Sequence, residues 1–321
     1  MPLAARLKFL LRPLVFACRR AGQRLGLLVR PAVPWDGRHH PALLRFEPWQ
    51  GEADGRFCYD FLGIKTDPKF RPQFRPDRPG RLKTSYPPPH NAYFELVFVL
   101  DSLAACSDSS RFTMIELGAG YGPWLVTAHR AEQLSGGRPV DLVGVEMVPR
   151  HYEWMREHLR NNGIDPEEHR LIHAAVSDRE GEALYQPEKD SHFDYGQYVI
   201  GRRARRPGKS ETASDDPLRP VWVPCIGLSG LLRDYDRIDL MHVDIQGEEL
   251  RAIASAIGEL SARVRRLIVA THSRRIHREL RRLLIEAGLE CRYDFRLRKR
   301  ERTTFGDVQF LDGLLAFVNE M

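Results

Sequence analysis

Three carboxylates and one histidine fall in or just after short apolar runs: Glu116 within 112–117, Glu146 after 140–145, Asp244 after 237–243 and His272 after 267–271. Open α/β sheets bind their ligands outside the carboxyl ends of the strands, so these four side chains are placed to share one site. A carboxylate at 146 can accept hydrogen bonds from both hydroxyls of a ribose. Asp244 can face a cofactor, a substrate or both; the alternative is a helix N-cap, since Gln246-Gly247-Glu248 follow it. The His272 imidazole can take the proton of an attacking hydroxyl, or it is a structural histidine. A cation on Asp244, His272 and Glu248 would suit oxygen ligands. No tight ligand spacing points to one, and no metal is assigned.

These residues are organised by the stretch Met114-Ile115-Glu116-Leu117-Gly118-Ala119-Gly120-Tyr121-Gly122, a strand followed by a glycine-rich turn, with a helix starting at Pro123-Trp124. Glycines let a backbone turn tightly and approach a ligand. A dinucleotide fingerprint would require glycine where Pro123 stands, and a carboxylate at 116 would repel a pyrophosphate seated on a helix N-terminus. Glu116 suits a ligand with a positive amino group and no phosphate, and S-adenosylmethionine is such a ligand. Its expected contacts are Glu116, Gly118, Ala119, Gly120 and Gly122 in the turn and Glu146 at the ribose. Met147 would lie on one side of the adenine, and Ala175 and Val176 on the other. The Glu-x-Gly-x-Gly-x-Gly pattern resembles the first motif of class I methyltransferases.

The elements that must position these groups follow from periodicity. A helix from Asn91, with Asn91 as its cap, leads into a strand at 112–117. A helix at 123–135, a strand at 140–146 and a helix from Pro149 to Asn161-Asn162-Gly163 come next, then a third strand at 170–176. Strands are expected again at 221–223, 237–244 and 267–271. A basic amphipathic helix then runs to Gly288, and two closing strands lie at 289–295 and 308–318. His173 and His242 lie inside strands and read as core. The fold expected is α/β: a doubly wound, mostly parallel, seven-stranded Rossmann-like sheet with an antiparallel edge hairpin and an irregular N-terminal arm. The domain division is 1–30, 31–90 and 91–321.

The remaining segments constrain location and partners. Residues 1–30 carry seven lysines and arginines and no acid among leucines and phenylalanines, broken by Arg12-Pro13. That run is too short to span a bilayer. It reads as a basic amphipathic helix on an anionic membrane, with a packed helix or a targeting peptide as alternatives. Residues 31–90 hold half of the 22 prolines and many aromatics, which suits an ordered arm rather than a linker. Its basic residues 69–83 read as solvated charge, with an acidic or phosphorylated substrate as the alternative. The insert 178–220 is read as a cover over the site in its aromatic part, Asp194 to Tyr198, and as solvent-facing in its arginine part, 202–206. Five scattered cysteines without a C-x-x-C pair argue against disulfides and zinc and favour a reducing, cytoplasmic setting, peripheral to a membrane if 1–30 anchors.

Three pieces carry a family resemblance: Glu116-Leu-Gly-Ala-Gly-Tyr-Gly122; Ala174-Ala-Val-Ser-Asp178 followed by Gly181-Glu-Ala183; and Ile238-Asp-Leu240 through Val243-Asp-Ile-Gln-Gly-Glu-Glu-Leu250. Together they resemble the FkbM-type methyltransferases, over about residues 90–318. That family commonly shows Asp-x-Glu-Gly-x-Glu in the last piece, where this chain has Gln246. The resemblance implies S-adenosylmethionine-dependent O-methylation of substrates such as polyketide and sugar hydroxyls. The Asn/Asp-Pro-Pro-Tyr/Phe motif of amino-methylating enzymes is replaced here by Asp244-Ile245-Gln246-Gly247. The expectation is transfer to a hydroxyl of a glycan, lipid-linked sugar or polyketide, with nucleic acid disfavoured as a partner. The alternatives are an RNA or protein methyltransferase, motivated by the basic stretch 263–302, and a binding module that keeps the fold without turnover.

Overall fold

The computed structural model describes residues 32–187, 195–204 and 219–320. Segment 1–30, Asp194 and the arginines at 205 and 206 lie outside the described residues. Seven strands make the central sheet: β1 (Phe112–Leu117), β2 (Val140–Glu146), β3 (Arg170–His173), β4 (Leu240–Val243), β5 (Arg266–Thr271), β6 (Glu290–Phe295) and β7 (Gly313–Val318). Their order is β6-β7-β5-β4-β1-β2-β3. Pairing is parallel from β3 through β5, and only β7 runs antiparallel to its neighbours. The order reverses between β1 and β4, so a crevice opens at their carboxyl ends.

Helices cover both faces. On one lie α1 (Asn91–Ala105), α2 (Pro123–Ser135) and α3 (Pro149–Asn161). On the other lie α4 (Leu228–Arg233), α5 (Glu249–Ser255), α6 (Ile257–Arg263) and α7 (Arg274–Glu286). Strands β1 and β5 are buried along their whole length, as apolar runs covered on both faces should be. The cap of α1 is His90 rather than Asn91, and it makes no side-chain cap bond. This helix is apolar nearly all round because residues 32–90 cover the side turned away from the sheet. Phe46, Phe61, Leu62 and Ile64 of the arm join Tyr93, Phe94 and Val97 in one core. The arm is tied down further by Lys65 N–H donating to Asn162 Oδ1 at 2.8 Å and by Arg130 Nε donating to the Leu62 carbonyl at 3.1 Å.

Two expected strands divide. The run 170–176 changes sheets at Ala174: β3 stays central, while Ala175–Ser177 joins a second sheet of order 199–203, 181–185, 221–227, 175–177. The run 308–318 breaks at Leu311-Asp312. Its first part, Gly306–Phe310, pairs with Lys299–Thr303 as a separate ribbon between β6 and β7. The edge is therefore not a simple hairpin; β7 inserts between β5 and β6. Among the described residues no helix is long and apolar enough to cross a membrane.

Candidate active site

The turn after β1 is fixed from both sides. Gly118 and Ala119 N–H donate to the Val145 carbonyl at 2.9 and 3.0 Å, and Asp244 N–H donates to the Leu117 carbonyl at 2.9 Å. Gly118 has φ +73, and a Cβ there would stand 1.9 Å from the Asp244 carbonyl oxygen. Only glycine permits this approach of β1 and β4. Above the turn lies a cleft of about 600 Å³, within the range of small-molecule sites.

Of the expected contacts, Glu116, Gly118, Ala119, Gly120, Glu146, Met147, Ala175, Val176 and Asp244 line this cleft. Gly122 does not. It is the N-cap of α2 in a left-handed conformation, and its Cα faces Met155 and Leu125. Glu146 Oε2 accepts from Gly120 N–H and Oε1 from Val148 N–H, both at 2.7 Å. Burial pushes this carboxyl up to about 7, against the pull of those N–H groups. Glu116 is the floor. Its Oε2 accepts from Leu125 N–H at 3.0 Å, which ties the first turn of α2 to β1, and burial raises its carboxyl to about 8.

His242 was expected in the core. It is buried, yet it also borders the cleft, with Nε2 2.9 Å from Glu95 Oε2. Burial lowers its basicity, but Glu95 and Glu116 outweigh that and raise it.

His272 is the larger correction. It does not line the cleft. Nδ1 is 2.8 Å from Glu249 Oε1 and Nε2 is 3.2 Å from Asp244 Oδ1. Burial opposes the imidazolium, but the two carboxylates outweigh it and lift its pKa to about 10. Set between the two carboxylates and outside the cleft, the imidazole is placed to hold Asp244 in position. Asp244 in turn is kept below the usual carboxylate range: desolvation raises it, and the imidazole of His272 beside it more than offsets that. Glu249, His272 and Asp244 offer ligand-type atoms within 4.8 Å of one another. The acid in this cluster is Glu249, not Glu248. Glu248 instead accepts from Ser177 Oγ at 2.7 Å and pairs with Arg202. With its imidazole bridging the two carboxylates, the cluster stands as a charge triad.

Nor is Asp244 a helix cap, because α5 starts five residues later with Glu248 as N-cap. The connecting turn puts Gln246 at φ +50, a strained position for a side-chain-bearing residue. Its amide Nε2 donates to Asp244 Oδ1 at 3.0 Å. A glutamate there would bring a second carboxylate against Asp244 and repel it, so the departure from the common pattern supports the anion at 244.

Other lining groups were not legible as such. Arg71, read as solvated charge, lies 4.1 Å from the centroid of Tyr195. Tyr195 stacks on His151 at 4.4 Å, donates its hydroxyl to the Phe70 carbonyl at 2.6 Å and lies over Gly120. Gln197 is buried at the cleft, with its side-chain oxygen unpartnered. The Asp-Tyr-Gly-Gln-Tyr stretch was a signal for the last two; nothing in the arm singled out Arg71.

A purine nucleoside with a cationic amino-acid tail fits this donor set. Glu146 can take ribose hydroxyls, Gln197 Oε1 can accept from an exocyclic amine, and Met147, Ala175 and Val176 give the base apolar flanks. This strand order, with a glycine turn after β1 and an acid ending β2, defines a class I S-adenosylmethionine-dependent methyltransferase. Residues 116–297 match the methyltransferase FkbM domain, and the chain belongs to that family. A provisionally named methyltransferase from Jannaschia sp. (strain CCS1) is 27% identical over 252 residues, covering 78% of this chain and 88% of that one. Among solved structures, precorrin 8W decarboxylase from Methanobacterium thermoautotrophicum matches at 10% identity and TM-score 0.38, over 69% of this chain and 88% of its own. Aeropyrum pernix fibrillarin with bound S-adenosyl-L-methionine matches at 14% identity and TM-score 0.34, over 64% and 66%. Neither likeness is close enough to bear on the acceptor.

Proposed function

We propose that the chain transfers the methyl group of S-adenosylmethionine to a hydroxyl of a glycan or lipid-linked sugar, with a polyketide hydroxyl as the second class. The observation that carries this reading is Asp244: a carboxylate at the end of β4, facing the cleft, held as an anion by His272 and Gln246. The bound cofactor supplies a methyl made electrophilic by its sulfonium. The chain supplies alignment. Asp244 would accept the hydrogen bond of the acceptor hydroxyl and take its proton as the methyl carbon passes from sulfur to the hydroxyl oxygen, the sulfur leaving as a neutral thioether. Beyond Asp244, Gln73, Glu95 and Asp312 line the cleft together with the rings of Phe74 and Trp124. Polar acceptors beside ring faces suit a polyhydroxylated ring better than an apolar chain. Segment 1–30, outside the described residues, would hold the enzyme at an anionic membrane where lipid-linked sugars lie.

The RNA alternative draws only partial support from the basic run 263–302: Arg265 pairs with Asp108, Arg266 with Asp101, Arg275 with Glu279 and Arg292 with Glu290, which leaves Arg274, Arg278 and Lys299 without a carboxylate partner among the described residues. Transfer of tritiated methyl from S-adenosylmethionine to a panel of sugar, lipid-linked sugar and polyketide alcohols tests the proposal. Product on hydroxyl oxygen, lost in Asp244→Asn with cofactor affinity retained, is the expected result. Transfer only to amines or to RNA would refute it.

A further inference from the structure

A second cavity, of about 440 Å³, opens between one face of α7 and the start of the ribbon that precedes β7. Arg274, Arg278 and Arg281, at i, i+4 and i+7, share one face of the helix. Arg296 and Lys299 close the opposite side. Two of these five cations are neutralised: Arg281 pairs with Asp294 at 2.7 Å and Arg296 with Glu301 at 2.7 Å. Among the described residues Arg274, Arg278 and Lys299 have no carboxylate partner. On the rest of α7, Arg275 and Arg282 pair with glutamates one turn away. The helix thus compensates its arginines outside the cavity and leaves charge uncompensated within it.

The cavity adjoins the active site. Arg274 follows His272 by two residues, at most about 7 Å of chain, and His272 touches Asp244. The wall between the two spaces is 311–313. Leu311 and Asp312 line the cleft, while a Cβ at Gly313 would stand 2.7 Å from His277 Nδ1 and 3.2 Å from Leu297 N, both of residues that border the cavity.

We infer that this cavity binds a phosphate or diphosphate group carried by the acceptor, anchoring a phosphorylated sugar while its hydroxyl reaches Asp244. The inference rests on the methyltransferase reading for its purpose, but not for its binding chemistry. Guanidinium groups recognise phosphate oxygens through paired N–H donors, and three unpaired cations around one small space favour a compact polyanion over an extended one.

The test is calorimetric titration of the full-length protein with sodium pyrophosphate, and separately with S-adenosylmethionine. Wild type should bind pyrophosphate. Arg274→Ala/Arg278→Ala should weaken it by about tenfold or more, roughly the loss of one charge-assisted hydrogen bond, with cofactor affinity unchanged. Lys299→Ala, on the other wall, should weaken it in the same direction. Arg275→Ala/Arg282→Ala changes net charge equally at residues that do not line the cavity and should leave it unaltered. Soluble short-chain phosphatidic acid distinguishes the source. Competition with pyrophosphate that Arg274→Ala/Arg278→Ala abolishes assigns the group to a lipid; absence of competition assigns it to a soluble acceptor. No pyrophosphate binding by wild type, equal loss in both double variants, or tighter binding of single-stranded RNA through the same arginines overturns the inference. Pyrophosphate binding without cofactor binding would instead leave the cavity standing and remove the methyltransferase reading.

Discussion

Replacing His272 by alanine separates its two possible roles. Glu249 is fully buried, and its partners are His272 and the Gly247 N–H. Removing the imidazolium leaves a carboxylate inside the protein without its cation, which costs about 3–5 kcal/mol when a buried pair is broken. The proton equilibrium gives a similar size. A histidine shifted from 6.5 to about 10 represents on the order of 4 kcal/mol, with the open side of Asp244 trimming it. Its pH dependence has a definite sign. The folded pKa lies above the unfolded one, so the stabilisation is fully present below pH 6.5 and is lost as pH rises towards about 10. Urea unfolding of wild type and His272→Ala at several pH values should therefore show a gap of a few kcal/mol at pH 6 that shrinks by pH 9–10. Turnover should fall by about 10²-fold through misplacement of Asp244, and the wild-type rate should show no limb near 6.5 attributable to this histidine. Equal stabilities, or a limb near 6.5 that vanishes in the variant, would make His272 the base and refute the reasoning.

Two further outcomes follow from particular contacts and a third from the charge of residues 1–30. Gly118→Ala forces a Cβ to within 1.9 Å of the Asp244 carbonyl, so it should lower the melting temperature and cofactor affinity together; a normal affinity would show that β1 and β4 can separate freely. Phe70→Ala empties a fully buried site against Tyr121 and Trp154 and should cost about 3–5 kcal/mol in chemical unfolding, whereas a loss under about 1 kcal/mol would mean that the arm does not stabilise the domain. Deleting residues 1–30 should release the protein from anionic vesicles in a flotation assay, and unchanged binding would remove the anchor.

What the sequence made legible was the part of the site that the main chain builds. The glycine turn, the acid after β2 and the acid after β4 all sit at strand ends, and strand ends are visible as the edges of apolar runs. The failures share a cause: they depend on which distant segment lies alongside. The run 170–176 reads as one strand, with His173 taken for a core residue, so nothing marks Ala174 as the point where the chain changes sheets. His272 looked like a base because no local spacing links it to Glu249, its partner 23 residues away. Arg71 looked solvated because the ring it covers belongs to the insert. Conversely, Gly122 matched the motif yet serves the start of α2 rather than the cleft.

Calorimetry of S-adenosylmethionine on wild type and Glu146→Ala reads out directly whether the cleft over Gly118 and Glu146 holds this cofactor. Wild type should show saturable one-to-one binding, weakened by about 10²-fold or more when the ribose-facing carboxylate is removed. No heat of binding with wild type, or equal affinity in both proteins, would contradict it.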